Sequence, residues 1–198
     1  YLLCLITSQN VTAPKPMVAV LIGGQGLITS QNVTAPKQNL TGNPKVDRQI
    51  YEHAKAALTH RSGTYGEDLY FVSIVDGSTK LAHTSSKEFL AVTPTSDVHK
   101  AISDNAPGTL FSIHNHPSNI PPTGSDFAAS KARQYAGSIV ALHNGDVYYY
   151  KHGHSAFNSR EFDSSVKNRI SKGFAETAAF IATMEEFVER FGIQWRKL

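Results

Sequence analysis

Two histidines one residue apart, His114 and His116, with Asp126 ten residues beyond the second, are the side chains of this sequence best placed to do chemistry. In a strand running from Thr109 to His116, side chains alternate between faces, so both imidazoles project to one side and Asn115 to the other. Pro117 cannot donate to a central ladder, and Pro121-Pro122 with Gly124 reads as a rigid loop that turns the chain toward a helix starting near Ser125. Asp126 then falls in the first turn of that helix. Two imidazole nitrogens and one carboxylate oxygen make a three-ligand set that leaves a fourth tetrahedral position for water, the arrangement of catalytic rather than structural zinc. Each piece alone has a plainer reading. A His-x-His pair also suits a solvated strand face, and Thr123-x-x-Asp126 also suits a variant capping box. An apolar strand, two histidines, a proline loop and a capped helix nevertheless follow one another in the order a metal site needs.

The run His114-Asn-His-Pro-Ser118 followed by Thr123-x-x-Asp126 resembles the JAB/JAMM (MPN) metallopeptidase motif, His-x-His-Pro followed by Ser/Thr-x-x-Asp, and is most similar to its RadC-like branch. The likeness spans roughly Asp68 to Lys151. Thr123 stands where the family usually has serine, and the interval from His116 to Asp126 is one residue shorter than the family pattern. The resemblance implies a zinc-dependent hydrolase that cleaves a peptide or isopeptide bond through a zinc-activated water, with Zn2+ on His114, His116 and Asp126. It also implies a glutamate upstream as general base. Glu88, just after a hairpin, holds the place the resemblance gives that base. Glu67, at the head of the first strand, is the second candidate, and either also suits a surface carboxylate. The oxyanion formed on attack is then met by a hydroxyl from Thr123, at the family's serine position, or from Ser125.

The elements that must position these residues follow from periodicity and turn chemistry. Ile50, Ala54, Ala57 and Leu58 recur at helical spacing, and Arg61-Ser-Gly63 closes that helix. Leu69 to Val75 and Lys80 to Ser85 read as strands joined at Asp76-Gly77, and Ser96 to Asn105 as a short helix. After the site, Ser125 to Ala136 is helical with Gly137 as its stop. Ser138 to Leu142 and Val147 to Lys151 are strands joined around Asn144-Gly145. Beyond Ser159 a stripe of Val166, Ile170, Phe174, Ala178, Ile181, Met184, Val188 and Phe191 reads as helix, kinked at Gly173, that faces the core, a parent protein or a second copy. Phe187 and Trp195 add apolar surface. The expected fold is mixed α/β: a JAB/MPN-like, mostly antiparallel central sheet flanked by helices, with a C-terminal helical extension. The expected division is an arm over 1–43, the metallopeptidase-like domain over 44–154, and the extension over 155–198.

With 198 residues and 40% hydrophobic content, the chain has enough material for a real core. Its net charge of +3 is interspersed, with no basic stripe, so nothing points to nucleic acid as a partner. A protein or peptide substrate is expected instead. The lone Cys4 excludes an internal disulfide framework and suits a reducing, cytoplasmic setting, where the Asn-x-Thr sequons at Asn10, Asn32 and Asn39 carry no meaning. No membrane span is expected. The start lacks a basic leader and a Met, so the expectation is a fragment of a longer polypeptide without a secretory signal. Leu5 to Lys15 recurs identically at Leu27 to Lys37, which reads as a recent duplication or a sequence artefact, two copies being too few for a solenoid. Gly23-Gly24-Gln25-Gly26 lacks the Lys-Ser/Thr of a phosphate loop. His152-Gly-His154 repeats the histidine spacing but has no acid at metal-ligand distance. Two other function classes stay open: a non-catalytic JAB-fold assembly module of a larger phage or toxin protein, and a RadC-like nucleic-acid-associated protein.

Overall fold

The computed structural model describes residues 39–61, 63–85, 92, 94–155 and 157–198. The duplicated segment and Glu88 lie outside them. The elements are α1 (Pro44–Arg61), β1 (Asp68–Ser73), β2 (Thr79–Ser85), α2 (Ser96–Ser103), β3 (Leu110–His116), α3 (Gly124–Arg133), β4 (Gly137–Leu142), β5 (Val147–Lys151), α4 (Ser159–Ser171), α5 (Glu176–Phe191) and β6 (Gln194–Lys197). One sheet carries all six strands in the order β2-β1-β3-β4-β5-β6. Its neighbours are antiparallel except β3 and β4, which run parallel because α3 carries the chain across between them. The expected mixed α/β class with a mostly antiparallel sheet is therefore present.

Strand alternation sorts the two faces. Tyr70, Val72, Phe111, Ile113, Ile139 and Ala141 pack on one side against Val46, Ile50, Ala54, Ala57 and Leu58 of α1, the apolar stripe read from its helical spacing. On the other side Leu110 and Phe71 meet Val98 and Ala101 of α2. Val140, Leu142, Tyr148 and Tyr150 are covered by Phe127 of α3 and by α4 and α5. The Tyr148-Tyr149-Tyr150 run thus alternates as its spacing requires: the outer two are buried, and Tyr149 lies on the α1 side beneath the Arg196 guanidinium. Among the described residues no helix is long and apolar enough to cross a membrane.

Three local expectations are corrected. Gly137 does not stop α3. Gln134 does so, in the left-handed region at φ 53°, and Gly137 opens β4 where a Cβ would meet the Phe111 ring at 2.7 Å and the Tyr149 ring at 2.9 Å. The C-terminal stripe is not one kinked helix. Lys172-Gly173 ends α4, with Gly173 at φ 92° and the Phe174 N–H returning to the Arg169 carbonyl, a left-handed stop rather than a bend. The inward face of α5 is consequently Ala179, Phe180, Thr183, Met184 and Phe187, while Ile170, Phe174 and Val188 remain exposed. Finally, the chain ends in a strand: β6 pairs with β5 and brings Trp195 against Tyr148. Residues 159–197 thus complete the same sheet and the same core that the site rests on.

Candidate metal centre

The site is assembled where β3 gives way to α3, outside the carboxyl end of a parallel strand, the place where open α/β sheets leave a crevice. Ser112, His114 and His116 share the face of β3 turned from α1, because Phe111 and Ile113 occupy the α1 side. Both imidazoles are buried. Thr123 caps α3 and Asp126 is its third residue: the Asp126 N–H donates to Thr123 Oγ1 at 3.3 Å, and the Thr123 N–H returns to Asp126 Oδ2 at 2.7 Å. The capping-box reading and the ligand reading therefore hold together, since the box fixes the carboxylate that faces the histidines. The helix N-terminus adds partial positive charge beside it. Gly124 is required for a different reason: a Cβ there would lie 2.6 Å from the Ser159 carbonyl oxygen and 2.9 Å from the Phe162 Cβ. The start of α4 thus closes directly on the turn that carries Asp126.

His114 Nε2 lies 3.1 Å from His116 Nε2 and 3.3 Å from Asp126 Oδ1, and His116 Nε2 lies 3.5 Å from Asp126 Oδ2. Ligand atoms about 2.0–2.2 Å from zinc at tetrahedral angles stand about 3.3–3.6 Å apart, so these separations fit one ion. The donor chemistry fits too. The Nδ1–H of His116 donates to the Ile120 carbonyl at 2.9 Å, which leaves Nε2 as the lone-pair nitrogen, the tautomer a metal ligand needs. Among the described residues this is the one group of three or more His, Cys, Asp or Glu side chains so placed. Burial pushes the Asp126 carboxyl up, but the facing His116 and His114 outweigh it and hold the group well below the usual carboxylate range.

Glu67 is buried close to His116 and Asp126. Leu69 stands opposite His114 in the antiparallel β1–β3 ladder, and continuing that register places Glu67 opposite His116, on the same face. Only 8% of it is exposed. Burial raises its carboxyl to about 7, with His116 lowering it and Asp126 raising it. His143, beyond β4, moves the other way: burial and then the charge of His116 lower it to about 4. In metal-free protein the two oppose one another. The raised acid contributes stability that is complete below its ordinary value of 4.5 and is lost as pH rises through about 7. The depressed imidazole contributes stability present above 6.5 and lost as pH falls through about 4. Comparison with Glu67→Gln isolates the first, because His143 is common to both proteins. In EDTA-treated samples, chemical denaturation should show the variant gaining about 3 kcal/mol on the wild type between pH 4.5 and 8. A difference that stays flat over that range would sink the assignment.

His114, His116, Thr123, Ser125 and Asp126 are thus gathered on one strand end, loop and helix start, and Glu67, the second candidate for the base, lies beside them. Glu88 is not among the described residues. The two hydroxyls differ: Thr123 Oγ1 donates its proton to Asp126 Oδ2 at 2.8 Å, so it orients the carboxylate, whereas the half-buried Ser125 makes no such bond among the described residues. His152 is engaged by the Ser130 hydroxyl at 3.1 Å and joins no metal-ligand cluster among the described residues. The sequence reading passed over Asn115 and His143. The signal for Asn115 lay in strand alternation, which sends a buried amide to the face opposite the ligands, where it must find partners. Compared with known proteins, the chain matches no family model, no curated protein and no solved structure.

Proposed function

We propose that this chain is a zinc-dependent hydrolase of the JAB/JAMM type, acting on a peptide or isopeptide bond of a protein or peptide substrate in the cytoplasm. The observation that carries the reading is the convergence of His114 Nε2, His116 Nε2 and the Asp126 carboxylate at zinc-ligand separations, with a buried carboxyl, Glu67, on the neighbouring strand. Zinc held by these three residues supplies Lewis acidity toward a water and toward the carbonyl oxygen of the scissile bond.

The chain's own residues do the rest. Glu67, the candidate among the described residues, takes the proton of the attacking water and returns it to the leaving amine. A group near neutrality serves both directions, and burial brings its carboxyl there. Thr123 fixes the ligand carboxylate and the Ile120 carbonyl fixes the His116 ring, so neither must reorganise when a substrate arrives. Of the two hydroxyls, that of Ser125 is uncommitted among the described residues and is the one left to meet an oxyanion.

Elemental analysis tests the metal. Wild type and Glu67→Gln should each carry about one zinc per chain and His116→Ala little, as expected when three side chains share one ion. Zinc absent from wild type even after reconstitution would leave the assembly-module reading, which draws on the exposed Ile170 of α4, Phe174 of the connection and Val188 of α5.

A further inference from the structure

Asn115, between the two histidines, is fully buried and uses every hydrogen-bonding group of its amide. Its Oδ1 accepts the Asp68 N–H at 2.8 Å. Its Nδ2 donates to the Gly66 carbonyl at 3.1 Å and to His143 Nε2 at 2.9 Å. The Gly66 carbonyl and the Asp68 N–H are the two peptide groups that bracket Glu67. Past Leu69 and His114 the β1–β3 backbone pairing stops, and the Asn115 amide supplies the acceptor and the donor that a facing strand would otherwise have offered.

We infer that Asn115 is a positioning residue for Glu67: a side-chain rung that clamps both peptide groups flanking the glutamate to the strand that carries the metal ligands. The inference rests on the reading of Glu67 as the group that moves the proton. His143 serves the clamp by distinguishing the two ends of the amide. Its Nε2 accepts from Nδ2, so Oδ1 is the end that meets Asp68. Asp68 anchors the same segment from the other side, its buried carboxylate accepting from Arg61 Nε at 2.7 Å and from His60 Nδ1 at 2.6 Å. Glu67 is therefore aimed by its backbone, held on one side by β3 and on the other by the end of α1. An aspartate of the same shape would keep the bond from Asp68 and lose both donations, and an alanine would lose all three.

The test combines Asn115→Ala with Glu67→Gln in a double-mutant cycle, alongside amide hydrogen exchange of the metal-free proteins at pH 7. Zinc content should be unchanged in Asn115→Ala. Its kcat should fall about 10- to 100-fold with KM unmoved, the cost of misplacing a reacting group by about an ångström. In the Glu67→Gln background the same substitution should cost nothing further. Exchange at the Asp68 amide, protected in the wild type, should quicken about tenfold or more in Asn115→Ala. Equal losses in both backgrounds, an unchanged kcat, or loss of zinc would overturn the clamp. If Asn115→Ala does not fold, Asn115→Asp, which keeps the bond from Asp68 and loses both donations, carries the kinetic half of the cycle with the same criteria. If the wild type cleaves no substrate, the hydrolase reading fails separately, and an unprotected Asp68 amide in that protein would overturn the clamp by itself.

Discussion

On the proposed mechanism, Glu67→Gln should lower amide hydrolysis by about 10²- to 10⁴-fold while the zinc content stays at the wild-type level, the usual range for removing a positioned general base. Glutamine keeps the shape and the hydrogen-bonding reach of the side chain but can neither take nor return a proton. The three metal ligands sit on β3 and α3, whereas Glu67 comes from the head of β1, so the substitution separates proton transfer from metal binding. Single-turnover rates on one peptide, normalised to bound zinc, measure the effect. Glu88→Gln is measured in parallel, and a loss of rate there instead of in Glu67→Gln would assign the base to Glu88. A Glu67→Gln protein as fast as wild type would remove Glu67 from the mechanism.

Phe187→Ala costs about 3–5 kcal/mol of stability, the range for truncating a fully buried aromatic. The ring is inaccessible to solvent and is the hub of the aromatic cluster beneath α4 and α5. Phe162 lies at 5.0 Å and 75°, Phe157 at 4.9 Å and 83°, and Phe191 at 4.9 Å, with the first two in the edge-to-face geometry that aromatic quadrupoles favour. Denaturant midpoints compared at equal m-value give the loss directly. A change below about 1 kcal/mol would mean the cavity collapses without penalty, which the surrounding rings do not permit. The cost also reaches the site. Phe162 stands in this cluster and its Cβ closes over Gly124, two residues from Asp126, so loosening the C-terminal helices loosens the capped turn that holds the Asp126 carboxylate.

Much of this arrangement is legible locally. The β3 alternation, the Asp76-Gly77 and Asn144-Gly145 turns and the Thr123–Asp126 cap depend on neighbours within a few residues, and the sequence places them within a residue or two of where they stand. Non-local features are not legible in that way. β6 has four residues with no strong alternation, and it is a strand because β5 offers it an edge. The stripe through α4 and α5 looks continuous because the apolar spacing carries on across Gly173, while the left-handed turn there resets which face points inward. Glu67 reads as an ordinary acid until β1 is known to lie beside β3. Only then does antiparallel register bring it opposite His116, and nothing near Glu67 in the sequence says which strand that neighbour will be.

That separation along the chain orders events in folding. His114, His116 and Asp126 lie within one strand, loop and helix start, so gathering them closes a loop of about a dozen residues at little entropic cost. Bringing Glu67 to them closes a far longer loop, through β2 and α2, and waits for the β1–β3 ladder. On the proposed mechanism, a half-folded chain would therefore gather its candidate ligands while lacking its proposed base, and any hydrolytic capacity would arrive only with the finished sheet.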